Sequence, residues 1–571
     1  MILKTLSKYL KKSTFEDCTP EPSSHPKYQF FKSFGYIFGF LSLIIFIGCS
    51  KKNNQNSEKY LNQILNLSIL SDVRSLDPRV GNDYPSALII KMLYEGLMRM
   101  GSDGKITKGI ADSYDISDDQ KTYTFHLRSA TWSNGDPVTA FDFEYAWKKA
   151  IDPQYAKTGS FTFYVIKNVA ACLEERATLD EVGIKAIDER TLIVELEHPT
   201  PYFLSLTTCS TFAPICKKNA LERPDWSYHG DKFFVSNGPF YLEKWQKGDC
   251  ITLKKNRKYW DKSNVYLSRI NIMIIPDATT QYYMFEKGDI DWIGSPFGKI
   301  PLDLIKGLYQ EKKVHHLEAM GLNWLFINTK KFPLTNKNFR KALASAIDRK
   351  TICENLLQKG EKVALGILGS EFSEQIQPYF EDGNKELASE YLQMALDELG
   401  MTLEDLPPIS ISFPSTDSSF RLVQAIQQQL EESLGIKILL NHSEWMVHFN
   451  NITNGSYELG LMSWVSWIND PIYFLNTFRE EKLATNMSRW EHPLYKYYLN
   501  RSDNETDICE RKKDLVRAEA LLMSEMPVIP LHYMTMSYAY NPKLKNFYLS
   551  TLYEIDFKEA YFSDSDETEK L

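Results

Sequence analysis

The side chains that most often catalyse reactions or bind metals are spread through this chain without the spacing that such chemistry needs. Its ten histidines are scattered, and the adjacent pair His315–His316 points to two different faces, which makes a poor metal site. The acid pair Asp118–Asp119, and Asp289 and Asp291, lie in turn-like segments and are expected at the solvated surface. The sequence contains no zinc-protease, serine-hydrolase, phosphate-loop or dinucleotide-binding motif. It therefore argues against an enzyme, and no metal or other cofactor is expected.

The eight cysteines offer thiolate chemistry only if some of them meet in the fold. None forms a C-x-x-C pair or joins a histidine cluster, which argues against zinc. Cys209 and Cys216 are close enough in sequence to form a disulfide, although spacing alone does not establish the bond. The alternative is that the thiols are free and buried, as cysteines in folded proteins commonly are.

Composition and charge narrow the class of protein further. The chain has 571 residues, 43% of them hydrophobic and 13% aromatic, which suffices for a large buried core. Its formal net charge is −8, and the excess of acid lies after residue 48, because residues 1–48 carry more lysines than acids. Such a chain does not present the basic face that binds nucleic acid, and it does not supply a polybasic membrane anchor.

The N-terminal segment carries the features of an export and anchoring signal. Ser33–Gly48 is uncharged, and it is short for a membrane-spanning helix but long enough for the core of a signal peptide. The step Gly48–Cys49 resembles a bacterial lipobox, although the two residues before it are bulkier than usual. This predicts a lipoprotein signal peptide over 1–48, a lipidated Cys49 and a polar tether over 49–64. The alternative is a short uncleaved membrane helix with a buried cysteine.

The stretch Gly109–Pro153 has the clearest local structure in the chain. Tyr123–Leu127 alternates apolar and polar residues, as in a half-buried strand, and Ser133–Pro137 contains the Asn-Gly and Pro residues of a turn. Thr139 followed by Asp142 is typical of a helix N-terminus. The apolar face of that helix is predicted to be Phe143, Trp147 and Ile151.

Beyond this stretch, the same two periodicities predict a mixed α/β chain in at least two lobes. The segments that predict strands are Leu65–Leu70, Thr191–Glu197, Phe240–Lys244, Ile251–Lys254, Ile270–Ile275, Leu325–Asn328, Tyr457–Trp464 and Pro527–Tyr533. The segments with helical spacing are Ser86–Leu97, Thr279–Lys287, Glu386–Leu399, Phe420–Leu434 and Cys509–Met523. Thr335 is predicted to cap a further helix, whose buried face is Phe339, Leu343 and Ile347.

Several motifs, in order along roughly residues 65–545, resemble solute-binding proteins of family 5, the oligopeptide-binding subunits of ABC importers. The motifs that carry the resemblance are Leu76–Pro78, Leu93–Leu97, Tyr123–Phe143, Ser236–Phe240, Asn256–Asp261, Pro276–Thr280, Phe326–Lys330, Arg340–Arg349 and Pro527–Leu531. Each motif is moderately specific alone, and it is their order, together with the lipobox, that identifies the family.

The resemblance implies an α/β, two-lobed periplasmic-binding-protein-like fold (type II, cluster C) with an extra third domain. Lobe 1 would be a discontinuous domain formed by residues 65–107, 215–324 and 541–571. The accessory domain would span 108–214, and lobe 2 would span 325–540. A ligand would be enclosed when the two lobes close about a hinge.

The resemblance also implies where a ligand would bind. The candidate substrate-binding residues are Asn323, Trp324 and Leu325 on one wall, Trp464, Val465, Ser466 and Trp467 on the opposite wall, Trp445 near the pocket, and in addition Tyr533 and Glu95. Peptide binders of this family are expected to hold the ligand mainly through main-chain hydrogen bonds, with low side-chain specificity.

The second wall departs from the family pattern at one informative position. Oligopeptide binders usually carry an aspartate there that pairs with the ligand's α-ammonium group, and this chain has Trp467. A buried ammonium group without a partner costs several kcal/mol. Either Asp470 or another acid therefore supplies the charge, or the ligand is not anchored by its N-terminus. Trp467 itself is either plain core packing or a platform on which a ligand stacks.

The function implied by the resemblance is that of an extracytoplasmic solute-binding subunit. It would capture oligopeptides between its lobes and deliver them to an ABC-transporter permease, as a periplasmic monomer held to the membrane by its lipid, without binding nucleic acid. Two alternatives share the fold. One is a binding protein for another ligand, such as nickel, haem, glutathione or a cell-wall peptide, and the other is a surface lipoprotein that does not transport.

Overall fold

The computed structural model describes residues 63–81, 83–101, 104–155, 160–227, 233–358, 360–369, 372, 378–483 and 485–563, and it shows a mixed α/β chain. Its strands are Ile64–Ile69 (β1), Met98–Met100 (β2), Ile106–Lys108 (β3), Ala111–Ile116 (β4), Thr122–Leu127 (β5), Ile184–Ala186 (β6), Thr191–Glu195 (β7), Phe240–Gln246 (β8), Cys250–Lys255 (β9), Arg269–Ile274 (β10), Trp292–Gly294 (β11), His315–Ile327 (β12), Ile409–Pro414 (β13), Ile438–Ser443 (β14), Leu459–Val465 (β15), Val528–Tyr540 (β16), Leu544–Lys545 (β17), Tyr548–Leu549 (β18), Ile555–Asp556 (β19) and Tyr561–Phe562 (β20).

The helices lie between these strands, as the two periodicities predict. The α-helices are Tyr84–Leu93 (α1), Ala140–Ala150 (α2), Val169–Leu173 (α3), Phe203–Leu206 (α4), Lys217–Glu222 (α5), Ala278–Glu286 (α6), Leu302–Gln310 (α7), Lys337–Ala346 (α8), Arg349–Thr351 (α9), Lys385–Leu399 (α10), Asp417–Leu434 (α11), Trp445–Thr453 (α12), Ile472–Leu475 (α13), Pro493–Asn504 (α14) and Ile508–Glu525 (α15). Shorter helical turns of other types are Ser160–Phe163, Ser210–Phe212, Lys262–Asn264, Ile352–Leu357, Leu403–Asp405 and Asn476–Phe478.

Three larger sheets organise the chain. The first has the strand order β1-β10-β9-β8, with β1 parallel to β10 and the other neighbours antiparallel. The second is antiparallel, in the order β4-β5-β7-β6, and the third has six strands in the order β11-β16-β12-β15-β13-β14. The contacts do not divide the described residues into separate units, so the boundaries given above for the lobes and the accessory domain remain predictions.

The local structure predicted within Gly109–Pro153 is confirmed. Strand β5 alternates half-buried and buried residues, and Gly135 adopts a φ of +104° in the turn that follows. Asp142 accepts hydrogen bonds from the N–H and the hydroxyl of Thr139 (2.8 and 3.1 Å). The Thr139 N–H therefore has a partner at the start of α2. The predicted apolar face is fully buried: Phe143 and Trp147 lie on α2, and Ile151 is the residue that caps its C-terminus.

Strands β12 and β16 are the longest of the described strands, and they lie next to each other in the six-stranded sheet. The first half of β12 pairs with β16, whereas its second half lies between β16 and β15. A bulge separates the halves, because the register of β12 shifts between Glu318 and Leu322. Inside it, the Met320 N–H donates to the Thr551 carbonyl (2.7 Å), and the Met320 carbonyl accepts from the Ser466 N–H (2.8 Å). The bulge therefore ties the end of β15 to β12.

Some helix bounds differ from the predictions, as α1 and α8 illustrate. The helix predicted over Ser86–Leu97 is α1, which begins and ends earlier. The cap of α8 is Asn336 rather than Thr335, because the Asn336 side chain accepts a hydrogen bond from the Phe339 N–H (3.0 Å). These differences are shifts of a few residues at helix termini, where the free N–H groups at the start and the free C=O groups at the end can find more than one partner.

Asp291 is fully buried, although its turn-like surroundings predicted a surface acid. Its two oxygens accept hydrogen bonds from the Asn66 N–H and from the side-chain amide of Asn541, both at 2.8 Å. The carboxylate therefore joins β1 to the segment after β16. The acid pair Asp118–Asp119, together with Asp289, is exposed as predicted.

The cysteines of the described part of the chain are free thiols, and the possible bond between Cys209 and Cys216 is not formed. Burial raises the pKa of Cys209 to about 12 and that of Cys216 to about 11, so both remain protonated at neutral pH. Among the described residues we find no cluster of metal-binding side chains, and no helix with the length and hydropathy to cross a membrane. The lipobox with Cys49 lies outside the described residues.

Candidate functional site

Neighbouring strands of the six-stranded sheet bring most of the candidate residues together. β12 and β15 run antiparallel over Gly321–Ile327 and Leu459–Val465, and Tyr533 lies on β16, on the other side of β12. The segments predicted as two opposite walls are therefore side by side in one sheet, which corrects that prediction. We call Asn323–Leu325, Ser463–Trp467 and Tyr533 the candidate wall.

Trp324 and Leu325 support the candidate wall from within and offer no surface of their own. Both side chains are fully buried. The rings around Trp324, with centroids 5.0–6.3 Å away, are Phe326, Trp464, Phe474 and Phe478. Trp464 is half-buried against this cluster, and Asn323 is half-buried and accepts a hydrogen bond from the Ser463 hydroxyl. The surface of the wall is therefore provided by Asn323 and Trp464 rather than by Trp324 and Leu325.

Strand β15 has one partly open edge. The N–H and C=O of successive strand residues point alternately to the two edges. The Leu461 carbonyl points away from β12 and accepts a hydrogen bond from His448 Nε2 (2.9 Å), and Ser463 and Val465 share its orientation. β13 pairs with β15 only as far as Gly460. Within the described chain no backbone hydrogen bond reaches the outward groups of Ser463 and Val465, so these groups form an unpaired strand edge.

The loop after β15 is held in a fixed conformation. Ser466 is buried, and its hydroxyl accepts a hydrogen bond from the Ile468 N–H (3.2 Å) and donates one to the carbonyl of the same residue. Trp467 is half-buried, and its carbonyl accepts a hydrogen bond from the Cys209 thiol (3.5 Å). These bonds hold the backbone of Ser466–Ile468 in place.

Asp470 already has an ion-pair partner within the protein. This bears on the alternative that Asp470 supplies the charge for a ligand's ammonium group. Each of its oxygens accepts a hydrogen bond from Arg511 (2.9 Å), and one also accepts from the Ile472 N–H (3.0 Å). Burial acts to lower the pKa of Arg511, but the hydrogen bonds and charge of Asp470 outweigh it and the pKa is raised. The Asp470 carboxylate is thus already neutralised and is not available to a ligand's ammonium group.

Trp445 and Glu95 lie outside the candidate wall. Trp445 begins α12 and is 48% exposed, and its ring lies 6.2 Å from the ring of His448, which bonds to β15. Glu95 is fully buried, where it is paired with Arg99 and accepts a hydrogen bond from the Tyr259 hydroxyl (2.9 Å). Trp445 is therefore linked to β15 through His448, whereas Glu95 belongs to a separate ion-pair network.

Arg511 and Tyr202 are residues of this region that the sequence did not single out. Arg511 lies on α15, and the Tyr202 ring covers its guanidinium group at 5.7 Å. Tyr202 is half-buried, and its burial raises the pKa of its hydroxyl. The sequence pointed to them only through Asp470, an acid within an apolar loop. Such an acid is expected to be buried beside a cation, but the sequence does not indicate which residue supplies the cation.

Known proteins resemble this chain over most of its length. The family model for bacterial extracellular solute-binding proteins, family 5, matches residues 105–486. The oligopeptide-binding protein OppA of Bacillus subtilis is 37% identical over 503 residues, which cover 87% of this chain and 92% of that protein. The dipeptide-binding protein DppE of the same organism is 32% identical over 519 residues, which cover 90% and 94%.

Solved structures agree with these relatives. Listeria monocytogenes OppA bound to peptide superposes with a TM-score of 0.72 at 28% identity and covers 88% of this chain and 100% of that one. OppA of Burkholderia pseudomallei reaches a TM-score of 0.76 at 24% identity and covers 88% and 99%, which is a likeness of fold. The residues that the family model matches include the candidate wall apart from Tyr533.

Proposed function

Because the chain belongs to the bacterial extracellular solute-binding proteins of family 5, we propose that it captures oligopeptides as the binding subunit of an ABC importer. Relatives that are named oligopeptide-binding and dipeptide-binding proteins, and that are similar over most of the chain, support this class of ligand. The family consists of solute-binding proteins and not of enzymes. The family is one of extracellular solute-binding proteins, which supports a capture step outside the cytoplasm.

The observation that carries the proposal is the open edge of β15. A peptide that lies along this edge as an added strand would exchange main-chain hydrogen bonds with Ser463 and Val465. Such bonds do not depend on the peptide's side chains, so one site accepts many sequences. Trp464 and Trp467 are half-buried neighbours of these residues in the chain, and their rings would supply apolar contact for the peptide's side chains.

Replacing Ser463 with proline tests the open edge directly. Proline removes the outward N–H, and because this group points away from β12, the existing ladder is kept. One hydrogen bond contributes about 0.5–1.5 kcal/mol, so the affinity for tetra-alanine should fall roughly 2- to 10-fold in calorimetry. The matched control is Ser463→Ala, which keeps the N–H and loses only the hydroxyl that bonds to Asn323. Equal affinities for the two variants would contradict strand addition at this edge.

We also propose that the ligand's N-terminus is not held by a buried carboxylate at this wall. Trp467 stands where the family usually places an anchoring aspartate, and Asp470 is already paired with Arg511. N-acetylation of tetra-alanine is therefore expected to change its affinity by less than about threefold, because no ion pair is lost. Calorimetry with the two forms of the peptide measures this, and a strong preference for the free amine would refute it.

The proposal also covers the natural ligand, the membrane anchor and the partner, and each of these is tested separately. Mass spectrometry of whatever co-purifies with the protein distinguishes an oligopeptide from nickel, haem, glutathione or a cell-wall peptide.

Cleavage of residues 1–48 and lipidation of Cys49 would anchor the protein, since two or three acyl chains hold a protein stably at a bilayer. Fatty-acid labelling of the wild type and of Cys49→Ser tests the anchor. Delivery to a permease by a monomer is tested by co-purification with that permease.

A further inference from the structure

A short segment, residues 362–368, runs along the outer side of β16 and reaches the candidate wall. We call it the strap. The Tyr533 N–H donates to the Lys362 carbonyl (2.8 Å), Val363 forms an isolated bridge with His532, and the Ala364 N–H donates to the Leu531 carbonyl (3.2 Å). The strap thus covers the edge of β16 that does not face β12 at this end of the sheet.

The strap also fixes the side chain of Tyr533. The Tyr533 hydroxyl lies 2.8 Å from the Leu368 carbonyl and 3.2 Å from the Gly366 carbonyl, and its single proton is shared between these two acceptors. The backbone and the side chain of Tyr533 are therefore bonded to the two ends of the strap. A change in the position of the strap would change the position of the Tyr533 ring beside β12.

A single buried carboxylate holds the far end of the strap. Glu519 of α15 is fully buried, and its Oε1 accepts hydrogen bonds from the N–H groups of Ile367 (2.9 Å) and Leu368 (2.8 Å). Its Oε2 accepts one from the Tyr379 hydroxyl (2.9 Å). A Cβ on Gly366 would come within 2.9 Å of Glu519 Oε1, so the glycine is what allows the strap to approach the carboxylate.

The hydrogen bonds described above come to Glu519 from uncharged groups. Among the residues that the structure describes, no lysine or arginine is paired with it, and the titratable groups that face it are Tyr379 beyond the strap and Tyr495 of α14. Burial raises the pKa of Glu519 to about 7, against the hydrogen bonds from the strap and Tyr379, which act to lower it. A carboxyl group whose pKa is raised by docking stabilises the docked state at low pH, and this contribution is lost as the pH rises through about 7.

We propose that Glu519 is a positioning residue of the candidate wall, and that its protonation sets how firmly the strap holds Tyr533. The effect on the ligand rests on the proposed peptide-binding function, whereas the effect on the strap does not. The protonated acid keeps Oε1 as an acceptor for both N–H groups and avoids a buried charge. The ionised acid keeps the same bonds but leaves an unpaired charge in the interior. Near neutral pH, the strap is therefore held more firmly on the acidic side.

Hydrogen exchange at the Ile367 and Leu368 amides, corrected for the intrinsic rate, tests the first part without any ligand. With a pKa of about 7 when docked and the ordinary 4.5 when released, protection should fall about tenfold between pH 6 and pH 8. Glu519→Gln keeps an acceptor oxygen and cannot ionise, so its protection should not show this tenfold fall. Any effect of the neighbouring His532 persists in that variant. Glu510→Gln, on an exposed residue of the same helix, should behave as the wild type.

A flat profile in the wild type, or the same slope in Glu519→Gln, would overturn the role given to Glu519. The second part is tested by measuring the affinity for tetra-alanine at pH 6 and at pH 8. The ratio of the wild-type affinity to that of Glu519→Gln should be higher at pH 6 than at pH 8. The comparison between the two proteins cancels any titration of the peptide. If the protection of the strap amides depends on pH but the affinity ratio does not, the strap does not position the wall. If neither protein binds peptide at either pH, the proposed function fails and the exchange result stands.

Discussion

Replacing Asp470 with asparagine is expected to lower the free energy of unfolding by about 3–5 kcal/mol, the cost of leaving a buried charge without its partner. The Arg511 guanidinium is almost fully buried and donates two hydrogen bonds of 2.9 Å to this carboxylate. An amide accepts one of them and carries no charge, so the guanidinium would stay in the interior unneutralised. Urea unfolding measures the loss. The loop that begins at Ser466 should loosen as well, with weaker binding of tetra-alanine.

Two further variants separate the buried charge from other causes. Asp470→Leu combined with Arg511→Met removes both charges and should recover most of the stability, because apolar side chains replace a buried ion pair at little cost. Glu481→Gln breaks the exposed pair with Lys330 (3.0 Å) and should leave the unfolding curve unchanged, because solvent already screens that pair. A stability of Asp470→Asn equal to that of the wild type would contradict the role of the pair.

Local structure was predictable where the determining residues are close in sequence. The Asn-Gly turn that ends in Gly135, and the cap formed by Thr139 and Asp142, depend on residues within a few positions. The alternation of β5 depends on one sheet face being buried, which the sequence itself records. The resemblance to the family extended these local predictions to the overall organisation of the chain.

Contacts between distant residues were not predictable in the same way. Asp291 was expected at the surface, but its partners Asn66 and Asn541 lie 225 and 250 residues away and make burial favourable. The open edge of β15 follows from where β13 stops pairing, which no property of β15 alone reveals. The expected opposite walls proved to be one sheet because β12 and β15 are neighbours in space while 131 intervening residues separate them in the chain.

Replacing Trp324 with alanine is expected to destabilise the protein by about 3–5 kcal/mol, the range found when a large buried aromatic side chain is truncated. Trp324 is fully buried, and Trp464 rests on it with ring centroids 5.9 Å apart. The cavity would lie beneath the half-exposed ring of Trp464, so that ring should lose its fixed orientation. Chemical denaturation measures the first effect, and calorimetry with tetra-alanine should show a weaker affinity even where the protein remains folded.

Trp445→Ala is the matched control, because it removes the same type of side chain from a 48% exposed position and leaves no cavity. It should hardly change the stability. Trp324→Phe is the milder variant for use if the alanine variant does not fold. It retains a ring and removes an indole N–H that has no hydrogen-bond partner among the described residues, so it should cost less than truncation to alanine. If Trp324→Ala were no less stable than Trp445→Ala, the buried tryptophan would not be what supports the candidate wall.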